Sequence, residues 1–455
     1  MKTKEKMLRT DWKDENRRGT FNRYVPFFVA AFVALVYHLR MQPMGGDDVF
    51  FSQATASQSL WTYLAERYQA WTSRVVLEFV LVTVIQASLL WRLIDFLMLA
   101  SLPVVLSKFF DKSLVMSWCA AGAVLLYPFH DMGTAGWITT TVTHFWPLWC
   151  FFFTALLLKK VLFSERISLP ELVAGILAGI VTGSHEQWAV VLFVVIVLCG
   201  FDLWKNKRKP KQLWILMLFA LISLASLTVI LLCPGNAGRN QVSIRDLPVF
   251  AEFGFADKLY LGLLSIERVF IANADAVFFA VLVVWTALVY FKTDSYRKTL
   301  ISGLPLLILF GQTVVRTAYP GLSGLFVMPE QIVSWSWGSL STWLPMVYLA
   351  ITLFAMLYAL YVLIGENIAE YVYALLMLGC GFGAGAALGF MATIYVSGER
   401  VYAVLYCALL FVTLFLIGKM QKTVRQKAGE TGGKLLITVL ALVCLVNVGF
   451  IFLSI

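Results

Sequence analysis

The chain has 455 residues, 60% of them hydrophobic and only 14% charged, with a mean hydropathy of +0.81. Such a composition excludes a soluble α/β domain and describes an all-α polytopic membrane protein. The net charge of +10 would suit nucleic acid, but the basic residues cluster in short stretches between apolar runs, where positive-inside topology accounts for them, so no nucleic-acid partner is expected.

Residues 1–23 carry Lys2, Lys4, Lys6, Arg9, Lys13, Arg17, Arg18 and Arg23. They form a basic cytoplasmic segment too long and polar for a signal-peptide n-region, followed by a single membrane domain over 24–455. The first helix, about 24–41, then runs outward and delivers Met44-Gly45-Gly46-Asp47-Asp48-Val49 to the outer face. An acidic pair cannot sit in hydrocarbon, where a carboxylate costs about 2.5–3.5 kcal/mol at the helix centre. The two glycines let the backbone turn so that both carboxyls face the protein, which suits Asp47 and Asp48 to work as a catalytic base. Residues 50–73 mix Trp61, Tyr63, Tyr68 and Trp71 with Glu66 and Arg67, the pattern of helices lying in the interface.

Inside markers at Lys108/Lys112, Lys159/Lys160 and Lys205 to Lys211 require an odd number of crossings between Arg74 and Lys108. Trp91-Arg92 and Asp95 interrupt that stretch, so 75–90 is read as a helix embedded in the outer leaflet and 92–108 as the second span, with Arg74 held beneath the acidic pair. Further spans are predicted at about 113–128, 147–162, 169–184, 187–203, 212–233, 274–291, 299–317, 342–364, 370–394, 400–418 and 435–453, for about 11–13 in all. Outer loops then fall at 42–74, 129–146, 184–187, 234–273, 318–342 and 395–400. The Gly-rich run 379–389 is a close helix-packing surface. The seven cysteines, all in or beside apolar runs without a CxxC pair, read as core filler.

This topology gathers the unusual polar residues on the face that carries Asp47. Gly183-Ser184-His185-Glu186-Gln187 is a polar knot with too few residues for a loop, and ionisable groups at such depth face a cavity. The His-Glu spacing does not match a zinc-binding helix. In Cys233-Pro234-Gly235-Asn236-Ala237-Gly238-Arg239, a broken helix end exposes backbone N–H groups beside a guanidinium, a reasonable phosphate seat. Ser397-Gly398-Glu399-Arg400 places another arginine at an outer turn. With Arg74, three outward arginines share a face with an acidic pair, which suggests an anionic ligand. Trp137-Ile138-Thr139-Thr140-Thr141-Val142-Thr143-His144 has hydroxyls and rings that suit a sugar, and equally fits an interfacial aromatic belt, as do Trp335 and Trp337.

The order of these motifs, over most of residues 40–405, resembles a bacterial family of polytopic proteins similar to the GT-C superfamily of membrane glycosyltransferases, with Pro234-Gly235-Asn236 and Arg239 its most specific piece. The chain departs from that pattern at 139–144, where Thr-Gly-Ser-x-Asn-Tyr is usual, and at Gln187, where Asn is usual. The resemblance implies a GT-C-like bundle in the bacterial plasma membrane with an extracytoplasmic site. It also implies transfer of a sugar from a polyprenyl-phosphate carrier, such as undecaprenyl phosphate, to a cell-wall or surface polysaccharide or glycolipid. Asp47 or Asp48, the first favoured by analogy, takes the acceptor proton, and the other holds an arginine. Arg74, Arg239, Arg400 and His185 neutralise the donor phosphate; Glu186, Gln187, Asn236, Trp137 and His144 orient the sugar or the arginines. No cofactor or metal is expected, because a monophosphate donor has no pyrophosphate to neutralise. A membrane protein that flips the donor is a possible partner. A polyprenyl-diphosphate-glycan polymerase or ligase, and a lipid-linked sugar flippase or transporter, are the competing readings. The latter should show two matching halves, and no internal repeat is seen.

Overall fold

The computed structural model describes residues 22–208, 210, 212–318, 335–427 and 429–455, so the basic segment 1–21 lies outside the described residues. Among these residues the chain is helical without a strand. In chain order the helices are α1 Asn22–Arg40, α2 Asp47–Ser52, α3 Leu60–Ala70, α4 Val75–Ile85, α5 Ser88–Ser107, α6 Leu114–Leu126, α7 Trp137–Leu162, α8 Leu169–Gly183 and α9 Glu186–Lys205. They continue with α10 Leu213–Leu232, α11 Gly235–Ser243, α12 Phe255–Ile266, α13 Ala276–Thr293, α14 Tyr296–Ala318, α15 Leu340–Ile364, α16 Ile368–Ala387, α17 Ala403–Lys427 and α18 Gly429–Ser454. Ten of these, among the described residues, are long and apolar enough to cross a membrane: α1, α5, α7, α9, α10 and α13 to α17. Helices α6 and α8 stand where two further spans were expected but have only 13 and 15 residues. At about 1.5 Å per residue each is shorter than a hydrocarbon core of about 30 Å, yet each joins opposite ends of the bundle, from the contacts of Lys108 and Glu171 before or at its start to those of Thr134 and Glu186 just past its end.

Contacts along the helices give the bundle two unlike ends. At one end the lysines tie neighbouring helices together: Lys159 Nζ donates to the Lys108 carbonyl at 2.6 Å, Lys160 pairs with Glu171 at 2.6 Å and Lys292 with Glu366 at 2.8 Å, while Lys427 pairs with Asp294. At the other end lie Asp48 against Thr139, Arg74 against Glu186 and Arg400 against Thr134. Helix α4 stays at this second end: it starts beside Glu186, Gln86 just past its last residue donates to the Ser52 carbonyl at 2.9 Å, and its 11 residues are too few to cross.

Three expected boundaries move, each for a physical reason. The break after α4 falls at Gln86-Ala87, so Trp91, Arg92 and Asp95 lie inside α5. Asp95 is fully buried there because it is satisfied: Trp146 Nε1 donates to it at 2.6 Å and His38 Nε2 lies 2.9 Å away, while His38 Nδ1 lies 2.7 Å from the Ala34 carbonyl. Trp91 Nε1 likewise donates to Thr141 Oγ1 at 2.8 Å. The expected loop 129–146 is helical from Trp137 onward, with a π-helical turn over Thr141–Phe145. The expected loop 234–273 contains α11 and α12 and ends in a second π-helical segment, Glu267–Ala272.

The His38–Asp95 pair clamps α1, only 28% of which is buried, onto α5 and α7. Asp95→Ala should therefore cost about 3–5 kcal/mol, because it strands the imidazole in the core. Replacing His38 and Asp95 together by leucine should cost less than the single change. Unfolding midpoints of the detergent-solubilised protein measure both, and a double change that costs more than Asp95→Ala would mean the pair is not coupled.

Candidate functional site

The local structure at the site end starts from helix ends and what satisfies them. The first N–H groups of α7 have no partner within their own helix, and Asp48, 91 positions earlier than Thr139, supplies one. Its Oδ1 accepts from the Thr139 N–H at 2.8 Å and the Thr139 hydroxyl at 2.7 Å; its Oδ2 accepts from the Ile138 N–H at 3.3 Å and the Met44 N–H at 3.1 Å. The negative charge also meets the positive end of the helix dipole. The approach is close enough to dictate glycine at 136, where φ is +106° and a Cβ would lie 2.6 Å from Asp48 Oδ1 and 2.5 Å from the Gly45 carbonyl oxygen. Asp48 is fully buried, and its carboxylate holds backbone where an arginine was expected.

Asp47 is placed by the same contact and points the other way. Its N–H donates to the Ala135 carbonyl at 2.8 Å, and its side chain is exposed at the first turn of α2. Arg400 lies in its field, as it does in those of Arg74 and Asp131, and donates to the Thr134 hydroxyl.

Arg74 ends the turn before α4 and is taken by Glu186: its Nε lies 2.8 Å and its Nη2 2.7 Å from Glu186 Oε2. Ser73 donates to Glu186 Oε1 at 3.3 Å, and Arg239 Nη2 stands 3.8 Å from the same oxygen. One carboxylate at the start of α9 thus sits between two guanidiniums. Arg239 is held by the seating of α11 on the end of α3, where a Cβ on Gly235 would come within 2.3 Å of the Trp71 nitrogen. Asn236 Nδ2 turns inward to the Ile230 carbonyl at 2.9 Å, leaving its buried Oδ1 without a partner, and Gln187 reaches the Ala384 carbonyl at 3.4 Å.

His185 is buried beneath this group, its Nε2 3.4 Å from His144 Nδ1 and its own Nδ1 without a partner. Burial first, then the Arg74 charge, push its imidazole down to about 3 against the pull of Glu186, so it is neutral at ordinary pH. It therefore offers a hydrogen bond and no charge. The π-helical turn of α7 carries His144 to this contact. Trp137 is buried and stacked on Phe129 at 6.2 Å, and Thr139 and Thr141 are bonded to Asp48 and Trp91, so the Trp-Thr stretch is helix core rather than an open sugar platform. Trp335 and Trp337 pack on Tyr260 with ring centroids at 4.9 and 5.2 Å.

The structure adds residues that the sequence did not single out. Arg67 binds Glu78 in a fork, at 2.8 and 2.5 Å, among the rings of Phe50, Phe51, Tyr63 and Trp71. Beside Arg400 lies a carboxyl group of three: Asp131, Glu399 and Asp275. Asp275 had a legible signal, an acid just before an apolar run, and it caps α13 by accepting from the Phe278 N–H at 2.7 Å. Asp131 had none. Among the described residues no cluster of three or more His, Cys, Asp or Glu side chains is arranged to hold a metal ion.

In comparisons with known protein families, curated proteins and solved structures, the chain has no match.

The two aspartates separate experimentally. Asp48→Ala should lower stability by about 2 kcal/mol, since the α7 cap is lost and buried donors are left bare, whereas Asp47→Ala should leave the unfolding midpoint nearly unchanged. Thermal unfolding of the purified variants reads the difference, and equal midpoints would remove the capping role.

Proposed function

We propose that the protein is an inverting membrane glycosyltransferase that takes a sugar from a polyprenyl monophosphate. The observation that carries this reading is a pair of guanidiniums, Arg74 and Arg239, at 2.7 and 3.8 Å from one carboxylate, Glu186, at the end of the bundle that also carries Arg400. Cations held within each other's field, with Glu186 between the first two and exposed Asp47 facing the third, form a seat for one compact anion.

An apolar crevice supports a ligand with a long hydrocarbon tail. It is lined by Phe151, Trp188, Val191, Met377, Val404 and Phe411. Trp188 follows Glu186 and Val404 follows Arg400 by about one helical turn or less, so the crevice starts close under the charges. An anionic head at the helix ends and an isoprenoid chain between the helices fit this division of polar and apolar surface.

In the proposed reaction the exposed Asp47 carboxylate accepts the proton of an acceptor hydroxyl. That oxygen attacks the anomeric carbon with inversion, the bond from that carbon to the phosphate oxygen breaks, and the lipid phosphate leaves with both electrons. Arg74, Arg239 and Arg400 stabilise the charge that gathers on the leaving group. Neutral His185 contributes a hydrogen bond to the floor of the site. Asp48 keeps Asp47 in place. Under the positive-inside rule the lysine-rich end faces the cytoplasm, which supports a site on the extracytoplasmic face; the bacterial plasma membrane and its cell-wall or surface polysaccharide acceptors are what the family resemblance implies.

Transfer from a labelled polyprenyl-phosphate sugar in membranes tests the reading. Asp47→Asn should lower kcat by about 100-fold or more with little change in donor binding, the size expected for loss of a general base. Arg239→Gln should weaken donor binding. Near-normal transfer by Asp47→Asn would sink the base assignment and favour a diphosphate-dependent polymerase or a transporter.

A further inference from the structure

Arg400 faces one carboxyl that is exposed and another that is not. Asp131, in the turn between α6 and α7, is 6% exposed, and its Oδ2 is buried without any hydrogen-bond partner. Its Oδ1 has only His130 Nε2, at 3.3 Å, and the His130 Nδ1 is itself buried and unpartnered, with the ring set edge-on against Phe450. The titratable and charged groups around it come from four places in the fold. They are Tyr127 at the end of α6, His130 beside it, Asp275 at the cap of α13, and Glu399, Arg400 and Tyr406 at the start of α17. Asp275 accepts from the Phe278 N–H and the Tyr406 hydroxyl, so those two donors are committed to it rather than to Asp131.

A carboxylate in this position would be buried, bare on one oxygen and close to two other acids, with Arg400 acting on it directly and Arg268 on its neighbour Glu399. The burial, the bare oxygen and the two acids favour the neutral form. Arg400 is joined to the same turn through Thr134, whose hydroxyl accepts from the guanidinium and donates to the Asp131 backbone carbonyl at 2.8 Å.

We propose that Asp131 is a positioning residue for the anionic ligand: it carries a proton in the working enzyme, and that proton leaves the Arg400 charge free to hold the ligand's phosphate. Ionised Asp131 would compete with the phosphate for the same guanidinium. The inference rests on the donor reading above and adds to it the residue that sets how strongly Arg400 acts. Burial first, then the Glu399 and Asp275 charges, push the Asp131 carboxyl up to about 8. The sign follows: below that range Asp131 is neutral and phosphate binding is at full strength, and above it binding weakens. A phosphate monoester has its second pKa near 6, so the ligand's own charge is constant over the range in question.

Binding of a fluorescent polyprenyl monophosphate to the full-length protein in detergent, measured between about pH 7 and 9.5, tests this. Wild type should bind roughly tenfold more weakly at the alkaline end, the scale of one added charge acting through a protein interior. Asp131→Asn should bind as wild type does near neutrality and lose the alkaline weakening. Glu399→Gln removes a like charge and should move the weakening to lower pH. A flat wild-type profile, or an alkaline loss that persists in Asp131→Asn, overturns the role of Asp131 while leaving the donor reading standing. No binding at any pH overturns the donor reading and this inference with it.

Discussion

The rest of the site depends on one buried carboxylate. Asp48, delivered by the turn after α1, satisfies the open N–H groups at the start of α7 and leaves no oxygen idle. The bond is strong for two reasons that act together: the acceptor is charged, and the donors sit at the positive end of a helix dipole away from water. Because the chain passes so close, position 136 admits only glycine, and Asp47 is turned outward by the same geometry. The acidic pair is therefore a division of labour set by burial, with one carboxyl spent on structure and its neighbour left for solvent or ligand.

A second constraint is electrostatic. Three arginines are brought to one end of the bundle by unrelated devices: Arg74 by the turn before α4, Arg239 by the seating of α11 on α3, and Arg400 by the turn before α17. Among the described residues, Glu186 is the carboxylate placed between the first two. Holding like charges together is unfavourable unless something offsets them, and acids supply part of that offset here: Glu186 between Arg74 and Arg239, and Asp47 near Arg400. The same low-dielectric surroundings that strengthen the ion pairs keep His185 neutral and favour the protonated form of Asp131.

The bundle separates these charges from the lysines by its full length. Lysines close the opposite end through short contacts to carbonyls and carboxylates, and apolar helices fill the distance between. Inside that apolar stretch the one acid of α5 is paired, although the buried hydroxyls of Thr154, Ser223, Ser302 and Thr352 have no hydrogen-bond partner among the described residues. His38, Asp95 and Trp146 satisfy one another, and so do Trp91 and Thr141, which is how α5 tolerates an acid in mid-helix. The π-helical turn over Thr141–Phe145 lies near the start of α7 and the one over Glu267–Ala272 follows α12, and each carries a titratable residue, His144 in one case and Glu267 in the other.

Much of this was legible in the sequence because hydropathy and charge act locally. Apolar runs marked the helices, lysines marked one end, and the rule that ionisable residues avoid hydrocarbon gathered Asp47, Arg74, Glu186, Arg239 and Arg400 on the other. The sequence by itself determined that these residues share a face and that the chain is a polytopic helical membrane protein. Only the tertiary structure decided who pairs with whom. Whether Trp137 begins a helix depends on an aspartate 89 residues away in sequence from it, whether Asp95 interrupts α5 depends on His38 and Trp146, and whether Asp131 carries a charge depends on Glu399, Asp275 and Arg400. Pairing of this kind is a property of side chains that meet across the fold, and it leaves no period or spacing in the chain that encodes it.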